Sequence, residues 1–195
     1  MTCCAQKQDF CVSAGETFLP VIRWALSNLD SYAITAITQS APAVITMNSH
    51  AIPDGWPVAV VSVRGMDQIN GRHYPPAATD MHYASYISGT QISLNSVNSA
   101  DYSAYVSGGF VVHNTPVDMT GATATMRIYD APEGGTLLMT LTDVSGITIN
   151  NTDRTIRPRI DTAAISWTTG YYDLEMTDAG GVVTQLLAGV ITIES

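Results

Sequence analysis

Apolar residues in this chain recur at every second position and nowhere sustain the three-to-four-residue spacing of a helix several turns long. From Ala122 onward, Ala122, Ala124, Met126 and Ile128 share one side while Thr123, Thr125, Arg127 and Tyr129 share the other. That is the period of a strand with one buried face. The same alternation returns in GTLLMTLTD, GITINN, TIRPRI, GYYDLEMTD and VVTQLLAGVITIES. Turn-forming runs such as SAGE, NSHAIPDGW, NGRH, PEGG, NNTD and DAGG separate these segments. The pattern predicts an all-β chain. Two short helical pieces are expected: ALSNLDSY near residue 28, and a turn over 161–165 with Asp161 as its N-cap.

Counting strands gives an architecture. Six alternating segments follow residue 116, whereas an immunoglobulin-type sandwich has about seven strands. The segment ETFLPVIRWAL supplies another, with Phe18, Ile22 and Trp24 facing inward and Pro20 marking an edge. The expected fold is therefore an immunoglobulin-like β-sandwich made of residues 13–30 and 116–195, with a small β-barrel-like domain over 34–112 inserted after the first strand and an N-terminal arm over 1–12. Such an excursion costs little where its two ends lie together in a surface hairpin. Within it, Asn70-Gly71 is expected as a hairpin turn with positive φ at both positions, and Met66 as a core plug. In the last strand Gly189 is expected to mark a bulge or bend.

Composition narrows the partners. With 8 basic and 17 acidic side chains the formal charge is −9, which repels nucleic acid and anionic lipid. Only 13% of residues are charged and Lys7 is the sole lysine, a composition common to proteins that present their surface to neighbours in an assembly and to lightly charged secreted β proteins. No apolar run approaches the length of about 18 residues that a membrane span needs. The N-terminus has no apolar stretch of the signal-peptide kind, so the chain is expected to begin in a cytoplasm. Cys3, Cys4 and Cys11 lack a fourth soft ligand and precede every histidine; free thiols in a mobile or partner-bound arm are expected, with no cofactor.

Two resemblances cover most of the sequence. AGETFLPVIRWAL, PVDMTGATATMRIYD, GITI and ISWTTGYYDLEMTDAGGVVTQLLAGVITIES together resemble the N-terminal immunoglobulin-like domain of phage baseplate upper proteins. The inserted PAVITMNSHAIPDGWPVAVVSVRGMDQINGRHY and SADYSAYVSGG resemble a phage-associated module related to the first catalytic cysteine half-domain of ubiquitin-activating enzymes. Gly65, Met66, Asn70 and Gly71, with Tyr102, Ala104, Tyr105, Gly108 and Gly109, carry the second likeness; Ala51 and Trp56 depart from it. It implies shape and no ubiquitin chemistry, since the module contains no cysteine. Together the resemblances imply a non-enzymatic structural protein of a tailed-phage virion, assembled in a bacterial cytoplasm. It would attach to or cement the tail and baseplate region through other virion proteins and further copies of itself. A capsid or collar decoration protein and a host-glycan-binding module are the alternatives.

The residues offer few chemical constellations. His50, His73, His82 and His113 show no metal-ligand spacing, and no nucleophile elbow or phosphate loop is present. Asp173 and Glu175 share a strand face at i and i+2, a spacing open to a paired-carboxylate site or to an ordinary solvated face. Arg154, Arg157 and Arg159 cluster in DRTIRPRI, where Pro158 suggests a strand edge; they read either as protection of that edge or as a docking surface for an acidic partner. Trp56, Tyr83, Tyr86, Tyr102 and Tyr105 are candidates for stacking on a glycan, or else core and strand-pair residues.

Overall fold

A computed structural model describes residues 6–194. The chain is all-β: the described residues form sixteen strands and three single 3₁₀ turns. It divides into two compact units, 1–24 with 118–195, and 25–117. The first unit opens with β1 (Gln6–Lys7), β2 (Phe10–Ser13) and β3 (Thr17–Phe18). The second holds β4 (Ala25–Ile37), β5 (Ala43–Met47), β6 (Trp56–Arg64), β7 (His82–Ser88), β8 (Gln91–Leu94) and β9 (Ser107–Pro116). The first unit then resumes with β10 (Thr123–Tyr129), β11 (Leu137–Thr142), β12 (Ile147–Asn150), β13 (Thr155–Pro158), β14 (Ile160–Asp161), β15 (Thr169–Thr177) and β16 (Val183–Glu194).

The first unit is a β-sandwich. Its main sheet runs β1-β16-β15-β10-β11, with β2 also pairing β16. Short ladders β12-β13 and β3-β14 supply further pairing. The alternation read from the sequence sets the register: Met126 faces Leu174 and Ile128 faces Tyr172 across β10 and β15. These four pack with Phe18, Ile147, Ile156 and Ile160 in one core. Near 161–165 the expected turn forms as a 3₁₀ turn, with the Asp161 carboxylate accepting from Ala163 N–H at 3.2 Å.

The segment 16–26 does not run as one strand. Thr17–Phe18 joins the β3–β14 ladder, Ile22 makes a separate bridge to Ile156, and Ala25 and Leu26 already belong to β4. Its face assignment holds, since Phe18 is buried and Leu19 and Val21 are exposed. The stretch ALSNLDSY is strand rather than helix and opens β4, so residues 25–30 belong to the second unit. Its long-range pairing with β9 outweighs a weak local helical pattern.

The arm is likewise structured over its described part. β1 and β2 run parallel to β16, and Asp9 Oδ1 accepts from Val190 N–H at 2.9 Å where the arm crosses between them. Gly189 serves this crossing: a Cβ there would lie 2.0 Å from Gln8 O. The bulge in the β15–β16 ladder sits instead opposite Leu174 and Glu175, where Leu187 and Gln185 are successive partners.

In the second unit β4-β5-β8-β7-β6-β9 close into a barrel. Its core holds Ile45, Trp56, Val58, Val60, Met66, Ile92, Leu94 and Val111, and Met66 is the expected plug. Ala25 and Pro116, next to the two ends of the unit, are cross-strand partners. Asn70-Gly71 is not a hairpin turn. Asn70 has φ −68°, and its side-chain amide clamps both backbone groups of Val63, accepting from its N–H at 2.8 Å and donating to its C=O at 2.9 Å. At Gly109, φ is +87° and a Cβ would meet Val63 Cγ2 at 2.4 Å, so only glycine lets β9 lie this close to β6.

Candidate functional site

The three arginines have different fates. Arg154 adopts φ +53° and donates to Asp118 at 2.8 Å and to Asn151, so it ties the β12–β13 turn to the loop ahead of β10. That pairing, with bonds from Thr120 and Asn151, holds the Asp118 carboxyl well below the usual carboxylate range. Arg157 and Arg159 do lie on the same side, away from the buried Ile156, Pro158 and Ile160. Their strand is not a bare edge, however. β13 pairs β12, Ile156 exchanges hydrogen bonds with Ile22 on its other flank, and Arg159 N–H donates to Gly146 O at 2.7 Å.

The barrel aromatics do not form one platform. Trp56 is buried and its indole N–H donates to Asn114 O at 3.0 Å, which makes it a core anchor. Tyr105 packs on the barrel core with its hydroxyl 3.0 Å from both Ile34 O and Gly108 O. Tyr102 is half-buried against the same core. Tyr83 and Tyr86 are exposed, and the Tyr86 ring meets His50 edge-on at 5.8 Å.

Two histidine arrangements emerge. Asp80 is nearly enclosed and accepts from Arg72 N–H at 2.9 Å, Ala77 N–H at 3.0 Å and His73 Nδ1 at 2.8 Å. These donors, the Arg72 amide foremost, lower its pKa to about 2. The cluster lines a cavity of about 460 Å³ with Gln68, Thr79, His82 and Tyr102. An Asp-oriented imidazole can act as a base, but the geometry records no nucleophile bonded to His73. Further along the barrel, Tyr32 stacks on His113 at 5.7 Å and meets His50 at 6.2 Å. His113 Nδ1–H donates to Asn114 O and His50 Nδ1 accepts from Ile52 N–H, leaving both Nε2 atoms buried without a partner. Burial pushes His113 below its ordinary pKa. Among the described residues no group of three or more His, Cys, Asp and Glu could hold a metal ion. Cys11 lies in β2, where hydrogen bonding to the Glu194 carboxylate raises its thiol; Cys3 and Cys4 fall outside the described residues.

The outward face of the sandwich sheet carries a further polar arrangement. Arg127 Nη1 donates to Glu175 Oε2 at 2.7 Å and stands 3.5 Å from Asp173 Oδ1. Asp173 and Glu175 thus share one guanidinium across the β10–β15 ladder. Burial raises the Asp173 pKa, with Glu175 adding to the effect and Arg127 opposing it. Beside them a concavity of about 500 Å³ is lined by Tyr129, Tyr171, Asp173, Gln185 and Lys7 among others. The sequence signal for it was a tyrosine on the polar side of two alternating strands, RIYD and GYYD, which gains meaning only once the register pairs Tyr129 with Tyr171.

A third feature is a strand edge. β11 ends the main sheet; its ladder is with β10, and at its last residue Thr142 bridges Gly146. Its sequence, LLMTLT, has no charge and no proline. Leu137 is exposed, as is Val144 just beyond the strand. No family model matches the chain, and no curated protein matches it significantly.

Proposed function

We propose that this chain is a non-enzymatic structural protein of a tailed-phage particle, attached in the tail and baseplate region and held there by strand pairing. The phage resemblance of its sequence motifs supplies the setting. The observation that carries the attachment role is the β11 edge: between the bulge at Leu138 and the bridge of Thr142 to Gly146, residues 139–141 form a regular stretch without charge or proline at the end of a sheet whose other end is extended by the chain's own arm. An open edge is a template for another strand, and β11 lacks the lysine and proline that commonly blunt one, although it carries a bulge at Leu138. Arg157 and Arg159 offer a second, charged contact for an acidic neighbour. Individual contacts of this kind are weak, and repetition in a symmetric assembly makes them strong.

Thr140→Lys tests the reading, because Thr140 points away from the buried Leu141 and a lysine there penalises an incoming strand. The expected outcome is a monomer with wild-type melting temperature that is depleted from purified particles. Normal incorporation would contradict attachment through β11. Immunogold labelling of particles separates a tail location from a capsid or collar one.

A further inference from the structure

The concavity on the outward face of the main sheet has the chemistry of a sugar site. Tyr129 and Tyr171 are cross-strand partners on β10 and β15. Their neighbours Ile128 and Tyr172 point into the core, so both half-exposed tyrosines face outward, side by side. Such a pair presents apolar ring surface with polar hydroxyl tips. Next to it stands the half-buried Asp173 carboxylate, whose Oδ1 has only a long ion pair, 3.5 Å, to Arg127, because the short bond of that guanidinium goes to Glu175. A carboxylate can accept about four hydrogen bonds, so this single long contact leaves the exposed part of Asp173 free to accept from a ligand. Gln185 adds an amide with both donor and acceptor, and Lys7 adds an ammonium group. One carboxylate and one ammonium leave the lining without net charge, which favours a neutral ligand rich in hydroxyls over an ion.

The N-terminal arm forms one wall. Tyr172 O–H donates to Gln8 O at 2.8 Å, and the missing side chain at Gly189 admits the arm backbone. This fixes Lys7 at the rim, where β1 pairs with β16. The volume of about 500 Å³ falls within the usual range of small-molecule sites, about 300–1,000 Å³. We propose that this concavity binds a neutral pyranose ring, its C–H face on Tyr129 and Tyr171 and its hydroxyls donating to the Asp173 carboxylate and pairing with Gln185. The proposal is independent of attachment through β11, which lies at the far edge of the sheet from the arm.

The test is titration of the full-length protein with methyl glycosides of glucose, galactose, mannose, rhamnose and N-acetylglucosamine, followed by amide chemical shifts. At least one should give saturable shifts centred on Tyr129, Tyr171 and Asp173, with a dissociation constant on the order of 1 mM. Asp173→Asn, which preserves shape, should weaken that binding about tenfold, a loss of roughly 1.4 kcal/mol. Tyr171→Ala should abolish it, and Tyr83→Ala in the barrel should leave it unchanged. Absence of saturable shifts with every glycoside would overturn the proposal. So would binding that survives both sandwich substitutions, or that disappears with Tyr83→Ala.

Discussion

Every strand of the barrel has neighbours on both sides, because β4 pairs β9 along its first half and β5 along its second, whereas the main sheet of the sandwich ends in two edges treated in opposite ways. One edge is extended by the short arm strands β1 and β2, and the other ends at the longer β11. Closure removes the edges through which strands add. The barrel therefore has only side chains to offer a partner, while the sandwich also offers backbone. Their electrostatics differ as well. All four histidines lie in the barrel, and its enclosed polar groups, Asp80 and His113, are held by local bonds. The sandwich instead uses arginine-carboxylate pairs, Arg127 with Glu175 and Arg154 with Asp118.

Substitution in one unit should reach the other weakly, and the largest effect comes from the barrel anchor. Trp56→Ala removes the largest fully buried side chain of that core and should cost the barrel about 3–5 kcal/mol. In a calorimetric scan the barrel transition should fall while the sandwich transition stays in place. A joint shift of both would erase the distinction between the units.

Acid should separate them next. His113, and His82 with it, has a folded pKa lowered by burial. The unfolded chain then binds more protons than the folded barrel below the ordinary histidine value of about 6.5. Barrel stability is therefore full above that pH and falls as pH drops through the folded values. A second loss follows at lower pH: the Asp80 carboxylate stabilises the fold above its unfolded value of about 3.9, and that contribution disappears as pH falls toward its folded pKa of about 2. The sandwich has no histidine, and Asp173, raised by burial, acts in the opposite direction on acidification. Melting followed from pH 7 to pH 5 should lower the barrel transition alone. Equal slopes for both units would refute this assignment.

The smallest effect is expected in the arm. Cys11 is exposed on β2, and Cys11→Ser should shift the sandwich transition by less than about 0.5 kcal/mol. A loss several times larger would mean that the thiol has a structural role.

Local alternation made much of this fold legible. β10 and β15 read directly from the sequence because each has one buried and one solvated face. The failures share a cause. ALSNLDSY, the arm, and the Asn70-Gly71 pair take their form from distant partners, respectively β9, β16 and Val63, and nothing within a short window encodes those contacts. The same limit applied to the sites. Trp56 looked like a binding aromatic because composition cannot distinguish a buried indole from an exposed one. Tyr129 and Tyr171, forty-two positions apart, become one surface only through strand register.

The separateness of the two units rests most directly on excision. Because Ala25 and Pro116 are cross-strand partners, directly opposed residues of the kind that lie about 5 Å apart, residues 25–117 can be replaced by a short Gly/Ser linker joining Trp24 to Asp118. The shortened protein should retain a single cooperative thermal transition and the near-ultraviolet signal of a packed core. Non-cooperative melting of the shortened protein, alongside cooperative melting of the full chain, would show that the sandwich depends on the barrel and would contradict the two-unit description.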